Sequence, residues 1–432
     1  MSVREFKICD PLYDYIYLEE DEVKIINHFI FQRLRSVRQL GFSDHAFPSG
    51  THNRFTHSLG VCHLAGLAFD SIFNKNKSLP VSSQKRRIFR RMVKMSALLH
   101  DIGHGPLSHS SESLMPPLEP LNLGKYLKTA KGRQARHEDY SVKFIIEKEG
   151  LYGVLKEIGL EPLAIAQLLH PDFLIDTHFF EEEGLNFLPL LRQLISSDFD
   201  VDRMDYLYRD SRSCGVKYGL IDFTWLISHF DCYIKDQELF LAIASEALYT
   251  LESLLLGRQH MRLIVYFHHK SAIYNQMLKN YSKDCQWRLP SNILEYSTWT
   301  DSQLFEKLRE DKKNEWAGRI IEKKPYLRLY ELVCFEKDFQ NQNSISVLKQ
   351  ELIEKNVNFM VIDSEKHSIK PSKSISKIYP VYLKNRALNQ FQELGQSPAF
   401  LPLPHRKLQR IYVPPEDFLK AQNVLKQMTE LK

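Results

Sequence analysis

Ser96-Ala97-Leu98-Leu99-His100-Asp101-Ile102-Gly103-His104-Gly105-Pro106 is the stretch on which the reading of this chain turns. An apolar helix running into it drives His100 and Asp101 toward the interior, and Gly103 to Pro106 then end that helix. The pair is thereby left in the last turn, beside a cavity. Adjacent helical positions diverge by about 100°, yet one ring and one carboxylate of different reach can converge on a single ion. His104 lies one turn on, and the glycines beside it give its backbone room to turn the ring toward the same cavity.

A His-Asp dipeptide occurs often by chance, so its surroundings must carry the argument. Seven of the 17 histidines fall between His52 and His137. Neutral imidazole is the commonest metal ligand, and imidazolium donates to phosphate, so histidines flanked by Asp suggest metal-phosphate chemistry. Upstream, Asn53-Arg54-Phe55-Thr56-His57-Ser58-Leu59-Gly60 opens a helix that projects Arg54 and His57 from one face. Downstream, Asp198, Asp202 and Asp205 stand at spacings of four and three, an acidic stripe that is costly unless a cation or arginine neutralises it. A solvated face with Arg203 and Arg209 as partners is the simpler reading of that stripe. Val201, Met204 and Leu207 argue instead for a helix enclosed in the core.

The rest of the composition sets bounds. The 432 residues exceed a typical domain of about 150, so one large or two unequal domains are expected. With 43% hydrophobic and 26% charged residues, a sizeable core is available and disorder is excluded. The net charge of +5 is too small to indicate a nucleic-acid coat protein. Six scattered cysteines without CxxC spacing read as reduced thiols rather than a zinc knuckle. The first residues lack an apolar signal region and no long uncharged apolar run occurs, so a cytoplasmic protein is expected, with no membrane partner.

A mainly α fold follows from periodicity, with a smaller C-terminal α+β unit. Residues 6–20 predict a hairpin. Helices are predicted over 23–40, 55–73, 84–99, 137–149 and 188–210, in a body that reads as helical from 22 to about 290. Past Trp287, strands are expected at 357–362, 375–383 and 408–413 and helices at 345–355 and 416–431, so the boundary is drawn at 300, between units 1–300 and 301–432. The basic insert 116–136 is expected as a surface loop, with a cover over the pocket as the alternative. The basic run 85–91 reads as a solvated helix face, so nucleic acid is possible but not indicated.

His57, His100-Asp101 and Asp202 resemble, in order and spacing, the H…HD…D pattern of the HD-domain metal-dependent phosphohydrolases. Gln39-Leu40-Gly41, His52-Asn53-Arg54-Phe55, His57-Ser58-Leu59-Gly60-Val61, the 100–106 stretch and Asp202 to Asp210 extend the likeness to the branch of deoxynucleoside triphosphate triphosphohydrolases. It covers roughly residues 6 to 285. The resemblance implies an HD-domain helical catalytic core. It also implies that His57, His100, Asp101 and Asp202 hold a divalent metal (Fe, Mn, Zn, Co or Ni), while Mg accompanies the substrate triphosphate.

By the same likeness His104, His109 and His137 grip phosphate or move a proton, and Glu112 orients a histidine, here with one methylene more than the family's usual Asp. Arg54 and Arg203 would hold phosphate oxygens. Gln39, Tyr206 and Asp210 would hold the deoxyribose, Tyr206 closing off the space of a 2′-hydroxyl. Asn27 stands where the animal-type enzyme has an Asp that reads an activating guanine, which argues against that regulation. The implied partners are a dNTP and further copies of the chain. Competing expectations are an HD enzyme acting on another nucleotide or nucleic-acid end, and a nucleotide-binding protein without turnover.

Overall fold

The computed structural model describes residues 6–128, 132–175, 177–335, 344–363, 380–385, 388, 390–397 and 406–430. It is mainly helical. Strands Phe6–Asp10 and Asp14–Leu18 form the expected hairpin, with Ile8 opposite Ile16, and the turn is held by Leu12 N–H donating to Asp10 Oδ1 at 2.9 Å. Ile16 and Leu18 are buried beneath it.

The body is organised around the helix Arg54–Lys75. Asn53 caps it by accepting from Thr56 N–H at 3.1 Å, and its buried face runs through Phe55, Leu59, Cys62, Ala65, Phe69 and Phe73. Ser83–Leu99, capped by Ser82, packs on one side and Val201–Cys214 on another. Each fully buried Leu, Met or Phe here stabilises the fold by about 1.5–3 kcal/mol relative to exposure. Helices His137–Ile146, Pro162–Leu169 and Leu188–Ile195 complete the surrounding layer.

Two predicted helices are broken by local hydrogen bonding. The 23–40 prediction resolves into Glu20–Ile26, Phe29–Gln32 and a 3₁₀ turn Arg33–Ser36, because Asn27 ends the first helix and the His28 side chain caps the second by accepting from Ile30 N–H. The 188–210 prediction splits at Ser196–Asp200, where Asp200 accepts from Ser197 N–H at 2.7 Å and Arg203 N–H at 2.8 Å and starts a new helix. Asp198 consequently lies ahead of the helix, paired with Arg258 at 3.6 Å, and is not part of a helical stripe.

A sheet that periodicity does not predict crosses the body. Strand Glu238–Ala244 pairs antiparallel with Phe230–Lys235, Phe230 facing Ile243, and parallel with Tyr382–Asn385, Ala242 facing Tyr382. Leu239 to Ala244 are all buried, and such a continuous apolar run cannot be told from helix by its period. A second, three-stranded sheet has Arg406–Val413 between Leu327–Phe335 and Met360–Asp363, antiparallel to both. Helices Ser344–Glu354 and Phe418–Glu430 cover it through Ile345, Leu348, Leu352, Ala421 and Val424, which form a core separate from that of the body. Of the strand expected at 375–383, residues 375–379 lie outside the described residues. Helices Asp301–Glu310 and Glu315–Ile321 bury Leu304, Leu308, Ala317 and Ile320 in the body's own core.

The described part of the insert is anchored in the core by its apolar residues, more than a surface loop would be. Leu118, Leu121, Leu123 and Leu127 are buried, and Lys143 Nζ donates to the Leu121 carbonyl at 2.9 Å. Its apolar residues recur at irregular spacing, so they bury without forming a helix that periodicity would detect. Among the described residues no helix is long and apolar enough to cross a membrane.

Candidate metal centre and flanking pocket

Ser83–Leu99 delivers the first two groups of the centre. His100 caps its C-terminus, and its Nδ1–H donates to the Ala97 carbonyl at 2.7 Å. A carbonyl only accepts, so Nδ1 carries the proton and the Nε2 lone pair is left free. That Nε2 is buried and, among the described residues, has no hydrogen-bond partner; it lies 3.4 Å from Asp101 Oδ1 and 3.5 Å from Asp202 Oδ1. His57, fully buried on the Arg54–Lys75 helix, brings its Nε2 to 3.0 Å from Asp202 Oδ1 and 3.4 Å from Asp101 Oδ2. One ligand atom each from His57, His100 and Asp202 lies within 4.8 Å of the others. Two imidazoles and two carboxylates around an orphaned, buried nitrogen fit a divalent transition metal. All four residues named from the sequence meet here.

Electrostatics support the same grouping. Burial would push His57 and His100 down, but the surrounding carboxylates prevail and both are raised. Asp101 is held well below the usual carboxylate range: burial opposes this, and Arg54, His100 and His104 outweigh it. Asp202 is lowered against burial by His100 and His57. Imidazoles and carboxylates thus face one another in a dry site.

Beside the quartet stands a histidine trio. His104 and His137 stack with ring centroids 3.8 Å apart and planes at 14°, and His109 meets both edge-on. Glu112 Oε1 accepts from His109 Nδ1–H at 2.8 Å and His137 Nδ1–H at 3.1 Å, so one carboxylate orients two rings. Among the described residues neither nitrogen of His104 makes a hydrogen bond, although Nε2 lies 3.2 Å from Asp101 Oδ1. Burial, Arg54 and His137 hold His104 well below the ordinary histidine range, while Glu138 and Glu112 raise His137 against its burial. Parallel rings point their in-plane lone pairs side by side rather than at one point. The trio therefore suits contacts to successive oxygens of a polyanion better than enclosure of a single ion.

Two structural facts tie together the approach of His104 to His137. Gly103 N–H donates to Ser141 Oγ at 3.0 Å, and a Cβ on Gly103 would lie 2.1 Å from the His137 carbonyl oxygen. Only glycine lets this turn rest against the His137–Ile146 helix.

On the other side of His57 lies the group named for the sugar. The Tyr206 ring sits 6.5 Å from His57 and 6.1 Å from Tyr266. Asp210 accepts from Tyr266 O–H at 2.7 Å and lies 2.7 Å from His52 Nε2. Gln39 is buried, and its Oε1 lacks a hydrogen-bond partner among the described residues. Arg54 is turned inward, donating to Asp101 Oδ2 at 2.5 Å and Ser108 Oγ at 2.9 Å. Arg203 pairs with Asp200 on its own helix.

Sequence reasoning missed His52 and Tyr266 as partners of Asp210, and Asp205 as a partner of His57. The spacing of Asp202, Asp205 and Arg209 carried a signal for Asp205. Tyr266 lies in a π-helical turn, Arg262–Tyr266, for which no local pattern speaks.

The profile of the HD domain matches residues 54–210, and that of the HD associated region matches residues 221–358. The chain is an HD-domain protein. The HD match begins at Arg54 and ends at Asp210, so it encloses the whole quartet. Human deoxynucleoside triphosphate triphosphohydrolase SAMHD1 is 28% identical over 284 residues, 63% of this chain and 43% of that protein. An uncharacterized Mycoplasma genitalium protein, MG461, is 30% identical over 263 residues, 60% of this chain and 55% of its own. The chain spans about half the length of the curated relatives it matches. A crystal structure of a hypothetical protein from Aquifex aeolicus superposes with a TM-score of 0.72 at 27% identity, covering 98% of this chain and 100% of that one. This HD-domain protein therefore shares its described architecture with a solved chain along nearly its full length.

Proposed function

We propose that this HD-domain protein is a metal-dependent phosphohydrolase that cleaves a dNTP to deoxynucleoside and triphosphate. The convergence of His57, His100, Asp101 and Asp202 beside the trio of His104, His109 and His137 carries the reading. Similarity to SAMHD1, whose name states that reaction, supports the substrate class.

These four residues would hold the divalent ion, which when bound offsets charge on phosphate and lowers the pKa of a water. The chain's own groups do the rest. Arg54 keeps Asp101 ionised and oriented through its short contact. His104 and His137 face the phosphates, and Glu112 holds His109 and His137 in one tautomer by accepting at Nδ1, leaving each Nε2 to face substrate. Water attacks the α-phosphorus. The P–O bond to the 5′-oxygen breaks, and that oxygen takes a proton; of His104 and His137, His137 is the better donor, because its neighbours raise it while His104 is held well below the ordinary histidine range. Tyr206 closes the sugar pocket on the 2′ side, while Gln39 Oε1 and Asp210 receive the 3′-hydroxyl. Orphaned Gln39 Oε1 favours a ligand hydroxyl at that spot.

Purified protein incubated with each dNTP and with Fe, Mn, Zn, Co or Ni, plus Mg, is expected to release nucleoside and tripolyphosphate, resolved by chromatography. His100→Ala should abolish turnover. Product from ribonucleotides, cyclic dinucleotides or nucleic-acid ends alone would redirect the substrate class, and absence of any product with metal bound would reject hydrolysis.

A further inference from the structure

His57 makes a second contact, on the side away from the quartet. Its Nδ1 lies 2.8 Å from Asp205 Oδ2, and both groups are fully buried. Asp205 is saturated by donors: Arg209 reaches Oδ2 through Nε and Oδ1 through Nη2, each at 2.9 Å, and Tyr13 O–H donates to Oδ1 at 2.8 Å. Arg209 Nη1 continues to Asp10 Oδ2 at 2.9 Å. Tyr13 and Asp10 belong to the N-terminal hairpin segment, nearly 200 residues away in sequence, which is thus wired to a metal ligand.

An independent observation points to the same cluster. Gly60 sits inside the Arg54–Lys75 helix, where glycine costs roughly 0.5–1 kcal/mol relative to alanine. A Cβ there would lie 1.8 Å from Asp205 Oδ1 and 2.6 Å from Arg209 Nη2. The helix gives up a side chain one turn from His57 where the carboxylate and guanidinium pass.

We propose that Asp205, clamped by Arg209 and Tyr13, is the positioning residue that fixes the tautomer and ring orientation of His57, and that the hairpin is thereby part of the metal centre. Ionised Asp205, ringed by donors, can only accept, so His57 must carry its proton on Nδ1 and present the Nε2 lone pair to the ion. Asp202 and Asp101 stand at that Nε2. This inference rests on the metal-binding part of the proposed function and not on its substrate.

The test uses the full chain, stripped with a chelator and titrated with Zn²⁺ by competition calorimetry, for the wild type, Asp205→Asn, Tyr13→Phe and Gly60→Ala. Asp205→Asn should weaken Zn²⁺ binding about 10–100-fold. Tyr13→Phe, which removes one hydroxyl and keeps every charge, and Gly60→Ala, which removes no polar group, should weaken it in the same direction even where the apo protein melts as wild type. ¹⁵N spectra of the metal-free protein should show His57 as the Nδ1–H tautomer in the wild type and a loss of that preference in Asp205→Asn, a readout that a merely structural role would not move. Unchanged affinity in both Asp205→Asn and Tyr13→Phe, or an Nε2–H tautomer, would overturn the proposal while leaving the hydrolase reading intact. A wild type that binds no Zn²⁺ would overturn both.

Discussion

Gly103→Ala is a test of how the two halves of the site are held in register. The added Cβ would stand 2.1 Å from the His137 carbonyl oxygen, 2.4 Å from Ser141 N and 2.8 Å from Ser141 Oγ. Two of these three atoms are backbone of one helix, so no side-chain rotation relieves the overlap. Since real Cβ contacts stay above 3.0 Å, the 100–104 turn and the His137–Ile146 helix must part by about 1 Å, and a misplacement of that size costs on the order of 100-fold in rate. Ser141 Oγ also donates to the His100 carbonyl at 2.9 Å, and Tyr296 O–H to the Gly103 carbonyl at 2.8 Å, so the strain spreads into the His-Asp pair. Overpacking should lower stability by about 1–3 kcal/mol. Steady-state kinetics on the preferred nucleotide, beside a thermal melt and metal content, reads both effects. A folded Gly103→Ala protein with wild-type kcat/KM would refute the claim that this contact sets the spacing of His100-Asp101 and His137.

Three further expectations concern the flanks of the site. Asp139, buried at the start of the His137–Ile146 helix, is lowered to about 2, its burial outweighed by His170, 3.6 Å away, and by hydrogen bonds from Arg133. With an unfolded value near 3.9, its contribution is intact above about pH 4 and is lost as pH falls through about 2. Arg133→Gln should therefore cost about 1–2 kcal/mol near pH 6, a gap that closes between pH 4 and 2 in urea melts; a pH-independent gap would contradict the assignment. Leu121→Ala should destabilise by about 2–5 kcal/mol if the insert is core, and a change below half a kcal/mol would return it to the surface. Tyr206→Ala should gain ribonucleotide hydrolysis, and unchanged sugar discrimination would remove Tyr206 from the pocket wall.

That His57, His100, Asp101 and Asp202 would come together was legible in the sequence through their order and spacing, which resemble a known pattern. His100-Asp101 ends one apolar helix, and His57 and Asp202 each lie in the first turns of another. The helices 55–73 and 84–99 were legible because an apolar stripe at a period of 3.6 reports one buried face. Where burial was complete that report vanished. Leu239 to Ala244 are apolar on every side, and only pairing with Phe230–Lys235 and Tyr382–Asn385 makes them a strand.

What the tertiary structure alone decided is the pairing of groups far apart in the chain. Arg54 was free, as sequence, to face phosphate or Asp101, and burial beside that carboxylate chose the latter. Tyr13 and Asp10 carry no mark of a role at residue 57, because a hydrogen bond between a hairpin and two distant helices has no period. Sequence determines which side chains have metal and proton chemistry to offer; packing determines which oxygen and which nitrogen meet, since hydrogen bonds discriminate over tenths of an ångström and only the assembled core sets distances that small.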